Sequence, residues 1–165
     1  MSEVEPGGID PGATIGHVHL KVSDLERAVA FYTEVLGFSE QTRMPGAAFV
    51  SAGDYHHHIG LNTWQSEGGG PAPPGTTGLF HLAILYPTRA ALATALRRVI
   101  DAGVPLSGAS DHGVSEAIYL ADPDGNGIEL YWDRPREQWP RPPQGEGVTM
   151  YTRPLDLEGL LAEAA

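Results

Sequence analysis

Residues 16–38 read GHVHLKVSDLERAVAFYTEVLGF and hold a complete strand–helix unit. From His17 to Val22 the chain alternates, with Val18, Leu20 and Val22 on one side and His17, His19 and Lys21 on the other, which is the pattern of a half-buried strand. Both histidines therefore face the same way. Ser23 and Glu26 stand at capping-box spacing, and Leu25, Ala28, Val29, Tyr32, Val35 and Leu36 then recur at helical intervals until Gly37 offers a left-handed stop. The same order returns further on. A strand over residues 79–86 carries His81, and a helix over about 89–102 turns Leu92, Leu96, Val99 and Ile100 inward before Gly103. His81 follows His17, and Gly103 follows Gly37, at nearly the same interval, which points to an internal repeat of strand, helix and three further strands.

Weaker strand patterns at 38–44, 47–52 and 55–64 complete the first copy, and SEAIYLAD and GIELYWD, joined by the turn DPDGNG, complete the second. Between the copies, QSEGGGPAPPGTTG at 65–78 is too rich in Gly and Pro for helix or sheet. The expected organisation is a flexible arm at 1–13, a domain at 14–135 with modules 14–64 and 79–135 about that linker, and a tail at 136–165 ending in a short helix.

Of the 165 residues 41% are hydrophobic, enough for a core, and none is cysteine, so a metal could be held only by nitrogen and oxygen. Twenty-one acidic residues against ten basic ones give a net charge of -11, which disfavours nucleic acid as a partner. Neither a membrane-spanning run nor a signal-like start is seen, and a cytoplasmic protein is the expectation.

Strand parity singles out three side chains on faces turned from the helices: His17 opposite Val18 and Leu20, His81 opposite Phe80 and Leu82, and Glu129 opposite Ile128 and Leu130. Two imidazoles and a carboxylate are the facial triad suited to Fe(II), with open positions for a chelating substrate and dioxygen. In the run His56, His57 and His58, packing of Ile59 and Leu61 would turn His58 inward as a fourth ligand or an acid-base group. His112, in a Gly-bearing loop, and Tyr119, on the strand next to Glu129, could move a proton and steady a bound oxygen. Asp122, Asp124 and Asn126 imitate a calcium loop, but Glu129 at the apolar place and the flanking strands favour a tight turn instead.

With the repeat, residues 16–38 and YLADPDGNGIELYW at 119–132 in view, the chain resembles the vicinal oxygen chelate superfamily of glyoxalases, bleomycin-resistance proteins and extradiol dioxygenases. The resemblance implies an α+β fold, two βαβββ modules whose mixed sheet curls around a metal cup, with a homodimer as the usual assembly. It puts the metal ligands at His17, His81 and Glu129, and it fits His58, His112 and Tyr119 to the catalytic places of extradiol enzymes. The closest likeness is to the N-terminal half of catechol-2,3-dioxygenase-like proteins. It implies an Fe(II) oxidoreductase, with Mn(II), Ni(II) or Zn(II) as other metals, that cleaves a catechol-like vicinal diol with dioxygen. Two alternatives stand beside it: a glyoxalase-like metal-dependent lyase or isomerase, and a metal-free protein that sequesters its ligand.

Overall fold

In the computed structural model, which describes residues 8–165, β1 (Val18–Lys21) leads into α1 (Leu25–Ala30), and the N-cap is Asp24, whose side chain accepts from Arg27 N. Ser23 is not the cap. Its amide and hydroxyl both donate to Asp124 Oδ1, far along the chain. After Ala30 the helix widens into a π turn, Phe31–Val35, closed by Leu36 N donating to Phe31 O, and Gly37 ends it at φ +85°. Phe31 and Tyr32 are both buried as a result.

The first sheet has the order β1-β4-β3-β2, with β2 at Ser39–Met44, β3 at Ala47–Ser51 and β4 at Ile59–Asn62. β1 runs parallel to β4 and the other pairs are antiparallel, with a register shift in β2 between Glu40 and Thr42. β4 starts only at Ile59, so His56, His57 and His58 lie in the preceding loop and not in a strand. The second sheet repeats the pattern as β5-β8-β7-β6 and adds β9: β5 Leu82–Leu85, β6 Gly108–Asp111, β7 Ser115–Ala121, β8 Gly127–Asp133 and β9 Arg153–Pro154. α2 (Arg89–Asp101), capped by Thr88, and α3 (Leu157–Leu161), capped by Asp156, complete the chain. Residues 1–7 of the expected arm lie outside the described residues.

One face of each sheet is packed. Leu20, Val50, Ile59 and Leu61 meet Ala28, Val29 and Tyr32, while Leu82, Ile118, Ile128 and Leu130 join Leu92, Leu96, Val99 and the α3 residue Leu160 in the same buried cluster. The β7–β8 turn fastens the two halves. Asp122, 5% exposed, accepts from Asp124 N, Asn126 N and Asn126 Nδ2 and also from the Tyr32 hydroxyl, while Arg27 pairs with Asp124 at 2.9 Å. Glu116, also buried, is held by Arg89 at 2.7 Å and by Arg134 at 2.8 Å. Among the described residues no helix is long and apolar enough to cross a membrane.

The fold is α+β with two mixed sheets, but it corrects the expectation of a curled sheet around a metal cup. Neither sheet closes or curls strongly, and β1, β2, β5 and β9 remain as the ends of two separate ladders. The repeat sets the order of strands within each half; it does not join the halves into one wrapped surface.

Candidate functional site

On β8 the buried residues Ile128 and Leu130 alternate with Glu129 and Tyr131, which turn to the other face. Tyr119 on β7 is the direct cross-strand partner of Glu129, and Ala83 of β5 pairs with it from the opposite side. His81, immediately before β5, therefore comes beside the carboxylate. His81 Nε2 lies 2.9 Å from Glu129 Oε2, and the Tyr119 hydroxyl donates to Glu129 Oε1 at 3.0 Å. That hydroxyl is also 2.7 Å from His112 Nε2, and His112 Nδ1 is 2.9 Å from the Tyr151 carbonyl oxygen. Four predicted residues thus form one hydrogen-bonded row, His81–Glu129–Tyr119–His112, with Tyr151 at its end. Burial, followed by the charge and hydrogen bond of Glu129, pushes the Tyr119 phenol up to about 12, so it holds its proton at neutral pH. His81 Nδ1 is buried with no hydrogen-bond partner.

The remaining predicted residues belong to the first sheet. The ring of His17, just before β1, sits 4.5 Å from that of His57, which lies 5.1 Å from Phe49, and His19 packs 5.7 Å from Phe49 and 5.6 Å from Trp64. Burial and then neighbouring imidazoles hold His19 and His57 below the ordinary histidine range. His58 is spent elsewhere: its Nδ1 meets Ser51 Oγ at 2.9 Å and accepts from Ala52 N, beside the ring of Tyr55.

The expected triad is therefore not assembled within the chain. His81 and Glu129 touch each other while His17 stacks on a loop of the other sheet, and among the described residues no three His, Cys, Asp or Glu side chains are grouped to hold a metal ion. This overturns the expectation of an Fe(II) centre, or of Mn(II), Ni(II) or Zn(II) in its place. It equally overturns the extradiol oxidoreductase reading, which needs three ligands and an open metal face. Alternation turns Glu129 away from Ile128 and Leu130, but Phe80, expected on the packed side opposite His81, precedes β5 and is 89% exposed, and the outward faces of two separate sheets are not one concavity. A mostly apolar hollow of about 420 Å³ between Phe31, Leu106 and Asp122 lies apart from the row, and its carboxylate is already taken by the turn.

The family described as the Glyoxalase/Bleomycin resistance protein/Dioxygenase superfamily matches residues 14–130. The chain belongs to this superfamily. It is 44% identical over 150 residues to a catechol-2,3-dioxygenase of Bacillus subtilis, covering 91% of the chain and 52% of that protein. A biphenyl-2,3-diol 1,2-dioxygenase of Rhodococcus globerulus is 31% identical over 121 residues, 72% of the chain and 63% of that relative. The chain thus spans between half and two thirds of the length of these relatives. Among solved structures, a glyoxalase/dioxygenase from Nostoc punctiforme shares the fold at a TM-score of 0.64 and 20% identity, over 82% of the chain and 99% of that structure. Two further members of the polar face escape sequence reading. The signal for Tyr131 is its place two beyond Glu129 on the same strand; Tyr151 carries no periodic signal and is brought in only by the tail.

Proposed function

We propose that this superfamily member sequesters a small aromatic ligand without a metal ion, on the face of the second sheet that carries His81, Glu129, Tyr119 and His112. The observation behind this reading is the hydrogen-bonded row itself, in which both Glu129 oxygens face protein donors or partners while the carboxylate stays partly accessible. A carboxylate flanked by a phenol and one imidazole, with a second imidazole on the far side of the phenol, is suited to hold hydroxyl groups of a ligand through charge-assisted hydrogen bonds. The named ligands of the relatives, catechol and a biphenyl diol, supply the ligand class. Phe80, 89% exposed, and Leu85, 53% exposed, stand beside the row as apolar surface for an aromatic ring. The reading takes residues 14–135 as the binding domain and 136–165 as its tail. It includes a homodimer, whose second copy would cover this exposed face.

Calorimetric titration of chelator-treated protein with catechol and 2,3-dihydroxybiphenyl tests it. Binding should be seen with no metal added, and Glu129→Gln, which removes a charged acceptor worth about 1.5–3 kcal/mol, should weaken it roughly ten- to hundredfold. Diols that bind only after a divalent ion is supplied, or binding unchanged in Glu129→Gln, would refute the reading.

A further inference from the structure

We propose that the C-terminal tail positions the binding row: the Tyr151 carbonyl fixes which ring nitrogen of His112 carries the hydrogen, and so leaves the single Tyr119 hydrogen between two acceptors. The proposal rests on the binding reading for its purpose and on geometry for its content. A carbonyl oxygen only accepts, so at 2.9 Å from it His112 Nδ1 must be the protonated nitrogen. In the neutral ring Nε2 is then bare and becomes an acceptor, 2.7 Å from the Tyr119 oxygen.

Tyr119 has one hydrogen and now two acceptors, His112 Nε2 and Glu129 Oε1 at 3.0 Å. Whichever takes it, the row is one hydrogen short; with the Tyr119 hydrogen turned to His112 Nε2, a ligand O–H or N–H donated to Glu129 makes up the deficit. In the opposite tautomer Nε2–H would donate to Tyr119, the phenol would donate to Glu129, and the row would be complete without a ligand.

The tail is held where this requires. Tyr151 N donates to His112 O, the Arg153 guanidinium carbon lies 4.0 Å from the centre of the Tyr151 ring, and β9 extends the ladder of β6. Gly113, at φ +80°, leaves room for the tail; a Cβ there would come within 2.7 Å of the Tyr151 ring and 2.8 Å of Pro140. Tyr151 is thus a positioning residue acting through His112.

Nitrogen-15 NMR of the full chain at about pH 8.5, above the ordinary histidine range, reads the His112 tautomer directly, the signal being assigned by its loss in His112→Gln. The Nδ1–H form is expected in the natural chain and should persist in Tyr119→Phe, because the carbonyl and not the phenol sets it. Gly113→Ala, which drives Tyr151 aside, should give mixed tautomers. An Nε2–H ring in the natural chain, a switch in Tyr119→Phe, or a folded Gly113→Ala that stays purely Nδ1–H overturns the proposal. The first two results decide even if Gly113→Ala does not fold. Since no ligand takes part, failure here is distinct from failure of the binding reading.

Discussion

Replacing Tyr32 with Phe removes a single hydroxyl from the seam between the two halves of the fold. Tyr32 is fully buried, and its hydroxyl donates at 3.1 Å to Asp122 Oδ2, itself in a residue only 5% exposed. Asp122 keeps three other donors, from Asp124 N, Asn126 N and Asn126 Nδ2, so the loss is one hydrogen bond to a charged group. Such a bond is worth about 1.5–3 kcal/mol, and we expect Tyr32→Phe to cost about 2 kcal/mol near pH 8. In urea the midpoint should fall with the slope unchanged, and Tm should drop by roughly 4–8 °C at this chain length. A pH series makes the test sharper. Burial, reinforced by Asp122, raises the Tyr32 phenol far above its ordinary range. Above about pH 10 the unfolded tyrosine releases its proton while the folded one keeps it, so the folded state binds more protons and stability falls by about 1.4 kcal/mol per pH unit. Phe has no such proton. The cost of the substitution should therefore shrink to under about 1 kcal/mol near pH 11. An equal cost at both pH values, or one under about 0.5 kcal/mol near pH 8, would refute the reasoning.

Two further outcomes concern other joints of the fold. The Arg134 guanidinium holds the Asp111 carboxyl below the usual carboxylate range, so this contribution is intact above about pH 4 and is lost as the pH falls through the lowered folded value. Asp111→Asn should cost up to about 1 kcal/mol at neutral pH and flatten the acid limb of a urea-midpoint series; an unchanged acid limb would count against the pair. Gly37→Ala forces a left-handed residue and drives the Arg98 guanidinium away from the Thr33 and Glu34 carbonyls it donates to, whereas at Gly53, φ +66°, an added Cβ meets nothing within 4 Å. Calorimetric unfolding should show Gly37→Ala costing more than the roughly 1–2 kcal/mol strain shared by both, and equal losses would exclude a role for Arg98.

Local periodicity carried much of the fold. Alternation through Leu20 and Val22 and through Ile128 and Leu130 marks β1 and β8, and the spacing of Leu92, Leu96 and Val99 marks α2, because each pattern needs only one buried face. Ser23 shows where such reading fails: a short hydroxyl can serve a nearby amide or a distant carboxylate, and tertiary packing gave it Asp124. The histidine run at 56–58 reads as strand by its neighbours, yet β4 begins one residue later. At the site, parity brought out Glu129 and His81 and the adjacent strand brought out Tyr119; the three meet because β5, β8 and β7 are hydrogen-bonded neighbours in one sheet. Parity misassigned His17 because no pattern along the chain states which sheet a given face will confront.

The two-residue strand β9 has a bearing on solubility. Edge strands offer unpaired amides and carbonyls to any other strand that meets them, and aggregation begins there when nothing intervenes. β9 covers the open side of β6 and ends in Pro154, which has no amide hydrogen to pass the ladder on. At one end of the first sheet, β2 has no such cover, but it is broken in register after Glu40 and carries the Glu40–Arg43 ion pair. One edge of the second sheet thus stops at a proline lent by the tail, and one edge of the first at a kink and two charges. Removing the tail would leave the edge of β6 bare at Ser110 and Asp111 too, making Arg153 and Pro154 a guard against self-association as well as a support for the site.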